Sequence, residues 1–265
     1  LLFFIFLGCN DSNKTGKEIN KIEWNINENY NYRKFGKLKL SEYNFFIGKL
    51  KNLIPGDNVL PYSLISPFFS DYTEKKRFIY LPNDSIIRYN QTEILEFPLG
   101  SIIIKNFIYP KSLTPYESDI IVETRLLINN EDGWKALPYI WNEEQSEAFL
   151  DISGRERSLT LNVHGTFNYI IPSMVQCKSC HEKNGKIYPI GPTARQLNSK
   201  YNYSEGEKNQ LEKLREISWI DSLPENIPQI VDYMNSLVNI DKRARAYLDI
   251  NCSYCHREVG SAKNA

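Results

Sequence analysis

Asp119-Ile-Ile-Val-Glu-Thr-Arg-Leu-Leu-Ile128 is the stretch on which the fold turns. Its residues sort into two sets with period two. Ile121, Glu123, Arg125 and Leu127 share one face of an extended chain; Ile120, Val122, Thr124, Leu126 and Ile128 share the other. β-branched residues dominate the run, which reads as a half-buried strand. Glu123 and Arg125, two apart, are expected to pair on a solvated polar face.

Runs of the same texture flank it. Residues 77–81 and 85–89, joined by Pro82-Asn83-Asp84, read as a β-hairpin. Further strands are expected at 101–109, 134–141, 147–152, 158–164 and 167–171. Gly, Pro, Asn and Asp separate them at short intervals, the pattern of an antiparallel sandwich or barrel. A short helix is expected over 41–53, with Phe45, Phe46, Leu50 and Leu53 as its apolar stripe. Tyr62, Phe68, Phe69 and Tyr72 crowd around Ser66-Pro67, with core packing as their expected role. Asp71, Glu74, Glu143, Glu144 and Asp151 have no spacing that pairs them, and no catalytic constellation is visible in this part of the chain.

The texture changes after residue 172. Ser204-Glu205-Gly206-Glu207 has the form of a capping box, opening a helix to about Trp219 with Leu211, Leu214 and Ile217 inward. Asp241 is expected to cap a second helix, on which Ala244, Tyr247, Leu248 and Cys252 share a face. The fold class expected is therefore α+β: an antiparallel β-sandwich-like domain over 36–172, then a mainly α-helical region over 173–265.

Two five-residue motifs lie in that second region, Cys177-Lys-Ser-Cys180-His181 and Cys252-Ser-Tyr-Cys255-His256. Each is Cys-x-x-Cys-His, the attachment motif of c-type haem. Two thiols at this spacing can add to the two vinyl groups of one porphyrin, and the next residue, His, then ligates iron. Of 5 Cys and 3 His in the chain, all but Cys9 and His164 fall inside the motifs. A structural zinc site leaves both histidines unexplained, and a thioredoxin-like pair lacks its βαβ context. The expectation is two covalent haems: Cys177, Cys180, Cys252 and Cys255 as thioether sites, His181 and His256 as axial ligands. Candidates for the opposite axial position are Met234, His164 and Met174; Met174 lies too close to Cys177 to reach around the ring. The helix before Cys252 is expected to lay its apolar face on the porphyrin.

Lys+Arg and Asp+Glu are each 32, so no net charge points to nucleic acid. Residues 1–9 (LLFFIFLGC) read as the end of a secretory signal whose Leu7-Gly8-Cys9 resembles a lipoprotein lipobox, making Cys9 a lipidation site. Residues 10–35, rich in Asn, Lys and Glu, read as a flexible linker. The implied location is the periplasmic side of a bacterial envelope, with a lipid anchor. The chain begins at Leu1 and ends at Ala265, soon after His256, and reads as a fragment.

Seven stretches sharpen the picture: LPYSLISPFFSDYTEKKRFIYLP from Leu60, FPLGSIIIKNFIYP from Phe97, ETRLLI from Glu123, LPYIWNEEQSEA from Leu137, YIIPSMVQCKSCH from Tyr169, PIGPTARQLN from Pro189 and RARAYLDINCSYCH from Arg243. With them the chain resembles a family of bacterial exported dihaem c-type cytochromes that carry an N-terminal β-rich domain. The resemblance spans roughly residues 40 to 260. It implies haem on Cys177, Cys180 and His181, a second haem on Cys252, Cys255 and His256, and a further C-terminal segment where a distal Met is expected. A six-coordinate c-type haem passes single electrons, so the leading expectation is electron transfer between redox proteins of the cell envelope, with catalysis the less favoured role. Two alternatives stand beside it: a dihaem enzyme of peroxidase or oxidase type with one open haem, and a relay attached to a partner-binding β domain.

Overall fold

A computed structural model of the chain describes residues 35–262. Cys9, the expected signal remnant and nearly all of the expected linker lie outside the described residues. The strand read from 119–128 is there, as Ile120–Asn130, the fourth strand of a six-stranded sheet. In chain order the elements are β1 (Phe46–Ile47), β2 (Ile54–Pro55), β3 (Val59–Tyr62), β4 (Glu74–Tyr80), β5 (Ile102–Tyr109), β6 (Ile120–Asn130), β7 (Gly133–Trp141), β8 (Ala148–Leu150), β9 (Arg155–Leu161), β10 (Gly165–Ile171), α1 (Met174–Cys180), β11 (Glu182–Lys183), β12 (Lys186–Ile187), α2 (Ala194–Leu197), β13 (Lys200–Tyr203), β14 (Gly206–Asn209), α3 (Gln210–Glu216) and α4 (Ile240–Asn251).

Strands β3 to β8 form one antiparallel meander in sequence order, and the other strands pair as separate two-stranded ribbons. Alternation divides the sheet into two covered faces. On the first, Phe78, Ile104, Leu126, Leu137 and Tyr139 pack against Leu40, Phe45, Phe46 and Leu53. On the second, Leu60, Ile79 and Ile103 pack against Ile87, Leu95, Leu197, Leu211 and Ile220, so this cluster draws on residues before and after 172. Farther along the second face, the β9–β10 hairpin seats Tyr169 and Phe167 edge-on to Tyr109. Between hairpin and cluster lies α1.

The expected fold class is corrected here. The region after 172 is not a mainly α-helical, cytochrome c-like region: it holds four short helices interleaved with β11–β12 and β13–β14, and strand outweighs helix in the described chain. Among the described residues no second sheet has more than two strands, so the six-stranded sheet has no equal partner as in a sandwich. Four local readings change with it. Residues 41–53 form two 3-10 turns around β1, because Asn44, Gly48 and Leu53 all take positive φ (56°, 71° and 50°) and no helix can pass through them. Residues 85–89 leave β4 instead of folding back on it; Ile87 bridges Ile220, and its N–H donates to the Trp219 carbonyl. Gly206, at φ +121°, turns the β13–β14 hairpin where a helix was expected to start, and Asn209 caps α3. The second expected helix exists as α4, but Asn239, not Asp241, is its cap.

The part of the chain after α1 is tied to the sheet by side-chain amides. Gln196 accepts from Ser66 N–H (3.0 Å) and donates to the Ser66 carbonyl (3.1 Å). Gln210 does the same for Ser63 (2.8 and 3.2 Å). Both are buried, and each replaces the backbone partner that the irregular segment after β3 lacks.

Within the first face runs a buried polar chain. Trp141 Nε1 donates to Thr124 Oγ1 (2.9 Å), which donates to Asn106 Oδ1 (2.6 Å), whose amide donates to the Lys76 carbonyl (3.2 Å). Thr124→Val keeps the shape but strands the indole N–H and the Asn106 oxygen, so it should cost about 2 kcal/mol or more. The urea midpoint should fall with an unchanged slope. A loss under about 0.5 kcal/mol would show that this chain of bonds contributes little.

Candidate haem site

Helix α1 starts where it does for local reasons. Ser173 and Gln176 form a reciprocal capping box: the Ser173 hydroxyl accepts from Gln176 N–H (3.2 Å), and the Gln176 side chain accepts from Ser173 N–H (2.8 Å). The turn before it is fixed by Asp151, which holds Arg155 at 2.8 Å and accepts from the N–H groups of Ser153 and Gly154. A Cβ on Gly154 would lie 2.5 Å from Ser173 N, so no larger residue fits at this approach.

One turn of α1 places Cys177 and Cys180 on the same side, three residues apart. His181 ends the helix, its N–H donating to the Cys177 carbonyl at 3.0 Å. The second motif closes in the same way. His256 N–H donates to the Cys252 carbonyl, also at 3.0 Å, just beyond the end of α4. Both motifs therefore form one local turn carrying two thiols and an imidazole.

The imidazole of His181 is oriented from behind. Its Nδ1 lies 3.0 Å from the Tyr188 carbonyl oxygen. A carbonyl can only accept, so Nδ1 carries the proton and Nε2 keeps its lone pair. Burial, partly opposed by this hydrogen bond and reinforced by Lys105 and Arg125, pulls the His181 pKa down to about 4. The ring is thus neutral near pH 7, the state in which imidazole ligates a metal.

Cys177, Cys180 and His181 face a cavity of about 150 Å³ in the middle of the second sheet face. Its walls come from Tyr62, Ile103 and Leu127 of the sheet, Phe68 of the segment after β3, and Ile250 and Tyr254 from α4 and the second motif. Three cations also line it, Arg77, Lys105 and Arg125. A larger depression beside Asn198, Asn209 and Pro224 has no Cys or His in its walls.

The polar face expected at Glu123 and Arg125 is not solvated. Glu123 is 0% exposed and accepts from Arg125 Nε (2.8 Å) and Nη2 (2.6 Å), and from the Tyr169 hydroxyl (2.6 Å). Sequence periodicity put these residues on one face correctly; what covers that face, β10 and α1, was not readable locally. Ile121, read on the same face, is on the other. The register slips between Phe107 and Ile108, so Val122 bulges and Ile121 joins the first-face core.

The motifs, 76 positions apart in sequence by Cys255 and Ser179, meet in space. Cys255 Sγ lies 3.8 Å from the Ser179 carbonyl oxygen, and Ser261 Oγ donates to the same oxygen at 2.9 Å. The four thiols are free. Among the described residues no three His, Cys, Asp or Glu side chains converge as a metal-ion site. Cys177 is buried, Cys180 exposed and Cys252 and Cys255 half-buried; His256 is exposed.

The remaining candidates lie elsewhere. Met234 is 69% exposed in an irregular segment before α4, Met174 packs against the first-face core, and His164 sits in the β9–β10 turn, stacked on Tyr72 with centroids 4.8 Å apart. The face of α4 expected to pack on a porphyrin, Ala244, Tyr247 and Leu248, is exposed; Ala246 and Ile250 point inward. Phe69 and Tyr72 are exposed, whereas Tyr62 and Phe68 line the cavity. The residues missed in the sequence are Arg77 and Lys105. Their only signal is register: they stand directly opposite each other and in line with Arg125.

No helix among the described residues is long and apolar enough to cross a membrane. Comparison with protein-family models, curated proteins and solved structures finds no match.

Glu123 is the counter-charge to Arg125, and removing it leaves a guanidinium in a partly covered site. Glu123→Gln should therefore lower stability by about 3 kcal/mol. Adding Arg125→Met should recover part of that loss. Chemical denaturation of both variants measures it; a double variant no more stable than the single would refute the pairing.

Proposed function

We propose that this chain is a dihaem c-type cytochrome that passes single electrons between redox proteins of the bacterial envelope. The observation that carries the reading is the shared local geometry of the two Cys-x-x-Cys-His segments, closed by the same His-to-Cys backbone bond and packed against each other at Ser179 and Cys255. The residues present fit the group. Two thiols and a neutral, Nδ1-anchored imidazole face a cavity with aromatic walls and an excess of cations, of which Arg77 is buried. When bound, haem supplies a one-electron couple, with a potential set by axial ligands, burial and hydrogen bonds.

The protein's own part is positional. Cys177 and Cys180 would hold the first group covalently and Cys252 and Cys255 the second. Tyr188 fixes the tautomer and plane of His181. The aromatic and aliphatic walls limit water at the first site, which strengthens every charge interaction there. Contact between the motifs brings the two sites close enough for one to serve as the other's electron donor. Export, lipidation at Cys9 and a membrane-tethered location complete the proposal, since covalent haem is attached in bacteria outside the cytoplasmic membrane.

A second reading is a dihaem enzyme with one open iron, favoured by the placement of Met234 on the surface and Met174 in the opposite core.

Expression with a c-type maturation system should add the mass of two haems. Cys177→Ala with Cys180→Ala should remove one, and Cys252→Ala with Cys255→Ala the other. Protein without covalent haem would end the proposal. Two low-spin haems support electron transfer; a high-spin haem that binds cyanide supports the enzyme.

A further inference from the structure

Three cations stand side by side on the second face of the sheet. Arg77 on β4 is the direct cross-strand partner of Lys105 on β5, which is the partner of Arg125 on β6. Like charges directly opposite on neighbouring strands repel, and burial strengthens the repulsion. Among the described residues only one of the three is answered by a carboxylate: Arg125 is held by Glu123 through two hydrogen bonds.

The other two are not. Arg77 is 6% exposed, its one hydrogen bond is a long contact with the Lys75 carbonyl (3.4 Å), and its Nη2 is buried without a partner among the described residues. The Lys105 ammonium lies over the rings of Phe107 (4.8 Å) and Phe68 (5.7 Å), with no hydrogen bond or carboxylate partner among the described residues. Burial first, then Arg77, Arg125 and Lys75, hold it well below the usual lysine range, with Glu123 opposing. A buried guanidinium and a half-buried ammonium with unused donors, both lining one cavity, call for an anionic occupant.

We propose that Arg77 and Lys105 receive the two ionised propionate groups of the haem held by Cys177 and Cys180, an inference that rests on the haem reading above. The charge count matches: two unanswered cations, two carboxylates. The order along the row matches too. Arg125 acts on both Cys177 and Cys180 and is already neutralised; Lys105, in the middle of the row, also acts on Cys180 and His181, whereas Arg77 acts on none of the three. Arg77 stands two strands away, roughly 10 Å at the backbone. In a c-type haem the thioether edge and the propionate edge are opposite edges of one ring, which puts Arg77 at the propionate edge and leaves Lys105, mid-row, to reach that edge through its long side chain. Guanidinium suits a carboxylate there because its planar fork can bind both oxygens.

The test is a potentiometric titration of full-length holoprotein in which Cys252→Ala and Cys255→Ala leave only the first haem. Arg77→Gln and Lys105→Gln should each shift its midpoint to lower potential, because a nearby cation favours the less positive, reduced iron. The double variant should shift further, and Arg77→Lys should stay close to the parent. The two positions are read independently, so one variant failing to mature leaves the other to decide. Unchanged potentials at both positions would overturn the inference while leaving covalent haem intact; absence of covalent haem in the parent would instead overturn the reading beneath it. A free anion shares this chemistry. Calorimetric binding of inorganic phosphate to parent holoprotein, abolished in Arg77→Gln, would show the row open to solutes and overturn the assignment; no binding supports it.

Discussion

A single carboxylate, Glu123, sets the terms for the second face of the sheet. It is fully enclosed and accepts three hydrogen bonds, two from Arg125 and one from Tyr169. A buried carboxylate is tolerated only when its lone pairs are taken and a cation stands against it. The Tyr169 bond places the β9–β10 hairpin over one end of the face, and the hairpin runs directly into α1. The position of Cys177 and Cys180 beside Arg125 thus follows from satisfying one buried charge. The Val122 bulge belongs to the same arrangement, since it ends the regular register just beyond Glu123 and returns Ile121 to the other core.

The second constraint is backbone satisfaction. The segment between β3 and β4 crosses the molecule without joining a ladder, and its amides and carbonyls need partners. Gln196 and Gln210 supply them from α2 and α3; the Ser66 hydroxyl donates to the Val231 carbonyl, and Asn251 accepts from Phe69 N–H. These bonds reach from the meander to the end of α4, which explains how chain on both sides of residue 172 comes to share one core cluster and one cavity wall.

Legibility in the sequence followed the range of the interactions. The strands of the meander were readable because alternation against a covered face is a local signal, and β5, β6 and β7 came out within a residue or two at each end. Short-range signals failed where a distant partner won. The Pro82-Asn83-Asp84 turn looks like a hairpin, yet Ile87 finds Ile220. The Ser204–Glu207 pattern looks like a cap, yet Gly206 turns a ribbon and Asn209 does the capping. The helical content after 172 was overestimated for that reason: apolar residues at helical spacing, such as Leu211 and Leu214, belong to a helix of only seven residues. The two Cys-x-x-Cys-His motifs needed no tertiary information. The cation row did, since Arg77, Lys105 and Arg125 lie on three different strands and only register aligns them.

The two motifs, alike in sequence, are placed unequally, and the inequality has a physical direction. His181 has a carbonyl partner behind its ring, aromatic walls around it and charged residues within reach, all of which let the protein tune whatever His181 ligates. His256 is exposed, and the helix before it offers Tyr247 and Leu248 to solvent. Yet the second motif is not a bystander to the first, because its Tyr254 is buried and forms part of the first cavity's wall, with its ring 5.9 Å from that of Phe68. The first site is therefore complete only when the second is docked on it. Under the electron-transfer proposal the two would form an ordered pair, a more covered site whose surroundings the sheet sets and a more exposed one beside it.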